Sequence, residues 1–204
     1  MGEGARASLA RLDEITRRLR VECPWDREQD ERSIVPHTVE EAYELADAAR
    51  AGDDEKIVDE LGDVLFQVYF LSLLLEERGA GSLAAVADRM IEKLIRRHPH
   101  VFGDVEVEGA SDVVRNWDAI KRDEHGSLFG DLPETLPSTL YARKIQRRAA
   151  HVGVAPPPDV GDRDAFTDIG RRLFELVDEA RRADVDPELA LRAYAKRFME
   201  GASE

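Results

Sequence analysis

A chain of 204 residues has room for one domain, or a domain with an appendage, and its 43% hydrophobic content can build a core. The formal charge of −14 argues against nucleic acid and membrane surfaces, which are themselves anionic, yet allows a small anionic ligand held through metal ions. The single Cys23 rules out an internal disulfide and fits a reducing compartment.

Nearly every long segment has a helical period and no run alternates like a strand, so the expected fold is all-α. Met1 to Arg20 reads as a charged amphipathic helix rather than a signal peptide. Within it, Ser8 to Val21 forms the first helix, with Leu9, Leu12, Ile15 and Leu19 on one face. Cys23-Pro24-Trp25-Asp26 breaks it, and Cys23 is read as a small buried residue without chemistry. A second helix is expected to start after Pro36, where Thr38 and Glu41 have capping-box spacing. Ala51-Gly52-Asp53-Asp54 is the following turn. The third helix runs from about Glu55 to Arg78 and ends at Gly79.

A fourth helix covers Ser82 to Arg97 and stops before Pro99. His98 to Asp104 is a structured turn, and Ser111 caps a fifth helix on which Trp117 and Lys121 face the same way. Gly126 to Pro137 is a loop, Ser138 to His151 a helix, and Gly153 to Asp162, with Pro156-Pro157-Pro158, a linker. Two last helices follow, the second opening with Asp186 as cap and Pro187 in its first turn. Val64 to Leu75 is too short to span a bilayer and contains Gln67 and Ser72. A soluble, cytoplasmic protein is the expectation.

Two acidic clusters carry the chemistry. Glu41 and Glu44, and again Glu60 and Asp63, stand three residues apart, which stacks each pair on one helix face. Two such helices side by side make a four-carboxylate cage that a hard cation such as magnesium or manganese stabilises. Asp63 opens the run Val64 to Leu75, apolar nearly all round and therefore core-forming, with Phe66, Val68 and Phe70 inside. A carboxylate at such an edge loses hydration unless a cation or donor replaces the water.

Competing structural readings exist for most of these residues. Acidic helix faces are commonly solvated, and Glu41 as a capping-box partner is a poor metal ligand. Lys56 and Glu60 have the spacing of a surface ion pair, and Arg96, Arg97 and His98 that of groups serving a helix C-terminus. Trp25 and Trp117 suit core or lid packing as well as base stacking. His98 and His100 are read as turn-stabilising donors.

Taken together, Glu40-Glu41-x-x-Glu44, Glu60-x-x-Asp63, Cys23-Pro24-Trp25-Asp26, Glu60-Leu61-Gly62-Asp63-Val64-Leu65-Phe66-Gln67 and Arg96-Arg97-His98-Pro99-His100-Val101-Phe102-Gly103 closely resemble the MazG family of all-α nucleoside triphosphate pyrophosphohydrolases. The resemblance is strongest from Leu9 to Arg122. It implies a helical bundle completed by dimerisation, as a homodimer or higher homo-oligomer. It also implies hydrolysis of nucleoside triphosphates to monophosphate and pyrophosphate with Mg2+, Mn2+ being an alternative ion, in nucleotide-pool cleaning.

Carried onto this chain, the resemblance makes Glu41, Glu44, Glu60 and Asp63 metal ligands, and Glu40 a ligand or a base beyond the ligands. Lys56, Lys93, Arg97 and Lys121 become phosphate-binding cations, with Trp117 and Trp25 near the base. A dUTP or phosphoribosyl-ATP pyrophosphohydrolase is the narrower enzymatic alternative, and a helical scaffold the non-enzymatic one.

Residues 1–128 are then the catalytic domain and 129–204 a degenerate second half. Asp168-Ile169-Gly170-Arg171-Arg172-Leu173-Phe174 echoes Glu60 to Phe66, but without a preceding acidic helix. Asp164 stands for Lys56, Asp168 for Glu60, Arg171 for Asp63 and Glu200 for Arg97. This half is expected to bind neither metal nor phosphate, and to bury Phe166, Ile169, Leu173, Leu176 and Val177 in packing or dimerisation.

Overall fold

The structure, a computed structural model, describes residues 2–125, 129, 132–154 and 164–202, without the side chains of residues 118, 121–123 and 125. Every regular element among the described residues is α-helical: α1 Glu3–Glu22, α2 Pro24–Glu28, α3 Glu31–Ala51, α4 Asp54–Glu77, α5 Leu83–Arg97, α6 Pro99–Phe102, α7 Ala110–His125, α8 Ser138–His151, α9 Ala165–Arg182 and α10 Pro187–Gly201. None is long and apolar enough to cross a membrane. The chain divides into two compact units, Met1–Leu94 and Ile95–Glu204, with the boundary inside α5.

The first unit is built on an antiparallel hairpin of α3 and α4. Asp30 starts α3: its carboxylate accepts from Ser33 N at 2.9 Å, and Ser33 Oγ accepts from Asp30 N at 2.9 Å. This reciprocal cap begins the helix well before Pro36, which lies inside it and forfeits only one backbone bond. The expected start after Pro36 is therefore wrong. Thr38 is an interior residue whose hydroxyl donates to Ile34 O, and Glu41 is free of any capping role. Gly52, at φ 69°, ends α3 in the left-handed conformation that glycine adopts without strain, and the Asp53 carboxylate caps α4 by accepting from Lys56 N.

Ile34, Phe70 and Leu74 form the core between the two helices, with Phe66 and Leu71 packed against it. Val68, expected inside, is exposed, because α4 turns Val58, Leu61, Leu65 and Val68 away from α3. Helix α1 lies along α4. Arg20 ties this junction together. It donates to the Glu77 carboxylate at 2.8 and 2.9 Å and to the carbonyls of Asp26 and Gln29 at 2.5 and 3.0 Å, and its guanidinium lies 5.8 Å from the Phe70 ring centre. Cys23, expected to be buried, is half-buried at the α1–α2 junction.

In the second unit α8 packs on α9 and α10. Gln146 donates to Phe174 O at 2.6 Å and Arg143 to Asp186 at 2.6 Å; Thr139 donates to Glu188. Asp186 caps α10 and Pro187 occupies its first turn, as expected. Helix α7 begins at Ala110, so Ser111 is not its cap; Asp112 instead accepts from Glu108 N just ahead of the helix. Of the face expected to be buried on α9, only Val177 is. Phe166 is 87% exposed, and Ile169, Leu173 and Leu176 are exposed as well, since α8 and α10 cover another side of the helix. Most of the Gly153 to Asp162 linker lies outside the described residues.

Candidate metal centre

Carboxylate oxygens of Glu41, Glu60 and Asp63 lie within 4.8 Å of one another. The hairpin explains why. With α3 and α4 antiparallel and joined by a tight turn, the middle of α3 meets the first half of α4, and the i, i+3 pair on α4 shares a face. Glu60 is 5% exposed, Glu41 is half-buried and Asp63 is open to solvent. Glu44, one turn beyond Glu41, is exposed and stands outside the trio.

The trio is electrostatically crowded. Desolvation, followed by the charges of Asp63, Glu44, Glu60 and Glu40, pushes the Glu41 carboxyl above its ordinary value. Removing water from neighbouring carboxylates is unfavourable unless positive charge replaces it. Lys56 offers a little: its Nζ lies 3.8 Å from Glu60 Oε1, one turn away on an exposed side chain. An open groove beside Asp63 is lined by Asp53, Lys56, Asp59 and Gly62. An oxygen-only donor set of this kind suits a hard divalent cation. A buried acceptor, Gln67 Oε1, also lacks a hydrogen-bond partner among the described residues.

Glu40 precedes Glu41 on α3 and acts by its charge on the Glu41 carboxyl. It is exposed and accepts from His37 Nδ1–H at 3.1 Å, while the His37 ring meets Trp25 edge-on with centres 6.1 Å apart. Trp25 is 52% exposed, so it packs little and presents an open aromatic face. Sequence reasoning passed over His37, although its i, i+3 spacing from Glu40 was readable.

Lys93 is half-buried on α5. Arg97 and Trp117 belong to the second unit. There Arg97 donates to Glu124 at 2.5 Å and Arg96 to the same carboxylate at 2.7 Å. Those two bonds, Arg97's first, hold the Glu124 carboxyl far down, at about 2. Glu124 was not anticipated, since nothing in sequence spacing links positions 27 and 28 residues apart. Trp117 is half-buried and lies 5.4 Å from the His98 ring, which in turn lies 5.6 Å from His100. Lys121 is in α7, but its side chain lies outside the described residues.

The family model of the MazG nucleotide pyrophosphohydrolase domain matches residues 29–102. That span holds every proposed carboxylate together with Lys56, Lys93 and Arg97, but not Trp25, Trp117 or Lys121. The nucleoside triphosphate pyrophosphohydrolase of Escherichia coli (strain K12) is 38% identical over 190 residues, covering 87% of this chain and 70% of that protein. The nucleoside triphosphate pyrophosphohydrolase/pyrophosphatase MazG of Thermotoga maritima is 38% identical over 199 residues, covering 87% and 76%. A crystal structure of a mazG-related protein from Thermotoga maritima matches at TM-score 0.48 and 22% identity, covering 55% of this chain and 98% of that one.

Proposed function

The chain belongs to the MazG nucleotide pyrophosphohydrolase family, and from that premise we propose that it hydrolyses nucleoside triphosphates to nucleoside monophosphate and pyrophosphate, with magnesium held by Glu41, Glu44, Glu60 and Asp63. The observation that carries this reading is the meeting of Glu41, Glu60 and Asp63, two of them withdrawn from water, on one hairpin. Glu44, one turn from Glu41 on α3, is exposed, and its charge acts on the Glu41 carboxyl. Manganese is an alternative ion for the same oxygen ligands.

Bound magnesium supplies positive charge to the polyphosphate oxygens and makes an attacking water more acidic. The chain's own groups do the rest. Glu40, exposed beside the trio and steered by His37, accepts the proton of the attacking water. The bond between the α and β phosphates breaks, and the pyrophosphate leaves with its charge met by Lys56. Lys56 can turn from Glu60 toward the phosphates, because its own side chain is exposed and its Nζ stands 3.8 Å from Glu60 Oε1, longer than a hydrogen bond. Lys93, Arg97 and Lys121 as phosphate contacts, and Trp117 and Trp25 as base contacts, follow the family pattern.

Residues 1–128 are the proposed catalytic part and 129–204 a degenerate copy. A homodimer or larger homo-oligomer is proposed on a separate ground. Val58, Leu61, Leu65 and Val68 repeat at heptad-like spacing on an exposed face of α4, and such a stripe needs a partner. Gly62 adds to this. A glycine inside a helix costs about 1 kcal/mol relative to alanine, and among the described residues nothing within 4 Å requires it. Nucleotide-pool sanitation in the cytoplasm is the proposed role.

The test is a panel of nucleoside triphosphates with magnesium, resolving pyrophosphate from orthophosphate. Release of diphosphate and orthophosphate overturns the assignment. Activity confined to one nucleotide points to the narrower dUTP or phosphoribosyl-ATP enzymes. A chain indifferent to chelator, with no hydrolysis, is a scaffold.

A further inference from the structure

We propose that Gln67 is a further residue of the metal site: its side-chain carbonyl accepts a hydrogen bond from a water that the cation keeps in its hydration shell, and so positions the ion beside Asp63. The inference rests on the reading of Glu41, Glu60 and Asp63 as the metal centre, but on a different observation.

That observation is a buried acceptor left over. Gln67 is 7% exposed, and its Oε1 is fully buried without a hydrogen-bond partner among the described residues. A buried carbonyl of this kind is costly and uncommon. The other polar residue of the same apolar run shows the usual solution: Ser72 Oγ donates to Val68 O at 2.7 Å. Gln67 has no such internal answer for its oxygen, so packing alone gives no reason for an amide there.

Placement supplies one. At about 100° per residue, Glu60, Asp63 and Gln67 fall within an arc of about 60° on α4. The Cα of Gln67 lies only ~6 Å along the axis from that of Asp63, at 1.5 Å per residue. Side chains on a helix lean toward its N-terminus, which carries the Gln67 amide back over the turn that holds Asp63. Glu60 and Gln67 are also the two buried polar residues of this helix face, Ser72 lying about 120° from Glu60 around the helix.

The chemistry fits. Magnesium gives up its waters reluctantly and keeps several, and each retained water is a strong donor in search of an acceptor. An amide oxygen accepts without adding charge. A further carboxylate would deepen the repulsion already bearing on Glu41. Groups that bind a ligand or water of the metal, rather than the metal, typically change affinity or activity by 10–100-fold.

The experiment is a Mn2+ titration, read by the EPR signal of free ion, on the full chain and its Gln67→Met, Gln67→Glu and Glu60→Gln forms, with melting curves in chelator. Binding by the full chain that Glu60→Gln abolishes establishes the centre. Gln67→Met, near-isosteric but without the acceptor, is expected to bind about 10–100-fold more weakly. Its metal-free melting temperature is expected to be unchanged or higher, since the orphaned oxygen is gone. Gln67→Glu keeps an acceptor and is expected to bind at least as tightly as the original chain. Wild-type affinity in Gln67→Met overturns the proposal. So does a metal-free melting temperature that falls with the affinity, because Gln67 then acts through packing. Absence of Mn2+ binding by the original chain is a different failure, that of the carboxylate centre itself.

Discussion

Arg171 pairs with Asp168 at 2.9 Å across one turn of α9, the same i, i+3 spacing that sets Asp63 beside Glu60 on α4. Where α4 presents two carboxylates, the proposed metal ligands, α9 presents a carboxylate already paired with a cation of its own chain, and Arg171 also holds Glu175 at 2.5 Å. Asp164, opposite Lys56 in the comparison of the two halves, is the cap of α9 and accepts from Thr167 N at 2.8 Å.

We therefore expect the C-terminal half to have no hydrolytic site. Glu41→Gln combined with Glu44→Gln should abolish magnesium-dependent hydrolysis by the whole chain, and adding Arg171→Asp should not restore any. Residual hydrolysis traced to the second half refutes this. A chain cut after about Gly153 should keep the carboxylate centre, while its oligomeric state and stability are free to change because α9 and α10 are lost.

For the carboxylate centre, Glu41→Gln, Glu44→Gln, Glu60→Gln and Asp63→Asn should each lower kcat/KM by about 100-fold or more. Glu40→Gln, which leaves the ligand set intact, should be milder. Circular dichroism should show the fold retained in all five. Without metal, Glu60→Gln should melt higher than the original chain, since it removes a 5%-exposed charge from a crowded group. Near-normal turnover by Asp63→Asn at moderate magnesium refutes the centre.

Two carboxylates give opposite dependences of metal-free stability on pH. The Glu41 carboxyl is raised from its ordinary 4.5, so the folded chain holds this proton more tightly than the unfolded one. The stability it contributes is complete below 4.5 and is lost as pH rises through its folded value. Glu124 is lowered from 4.5 to about 2, so its contribution is present above 4.5 and is lost as pH falls toward 2. Melting curves in chelator should show Glu41→Gln weakening the decline as pH rises above 4.5, and Glu124→Gln weakening the decline as pH falls below 4.5. An unchanged profile in either variant contradicts the corresponding assignment.

On assembly, light scattering at micromolar concentration should give a dimer or a larger even oligomer. Leu61→Glu with Leu65→Glu, placing charge on the exposed stripe of α4, should yield monomers with sharply reduced activity. A monomeric original chain rules out the dimeric reading. Monomers that keep full activity show that the site is complete in one chain.

The longer helices, their order and the spacing of the acidic pairs were legible in the sequence because each depends on neighbours within a turn or two, whereas the short α2 and α6 read only as a break and a turn. Periodicity marked α4 and α8, Gly52 and Gly79 marked helix ends, and Asp186-Pro187 marked a start. The start of α3 was misplaced because Pro36 suggested a break, and only the built helix shows Asp30 and Ser33 exchanging bonds ahead of it. Equally out of reach was which carboxylates meet. Glu41 reaches Glu60 and Asp63 through the antiparallel register of two helices, a relation fixed by the packing of Ile34 on Phe70 and Leu74. Burial belongs to the same level. An apolar stripe states that a surface avoids water, but whether its own chain covers it depends on which side the neighbouring helices take. Thus Phe70 is enclosed and Phe166 is not. Composition and spacing determined which carboxylates this chain has to offer; the tertiary register decided which of them crowd together, and so where the proposed cation would sit.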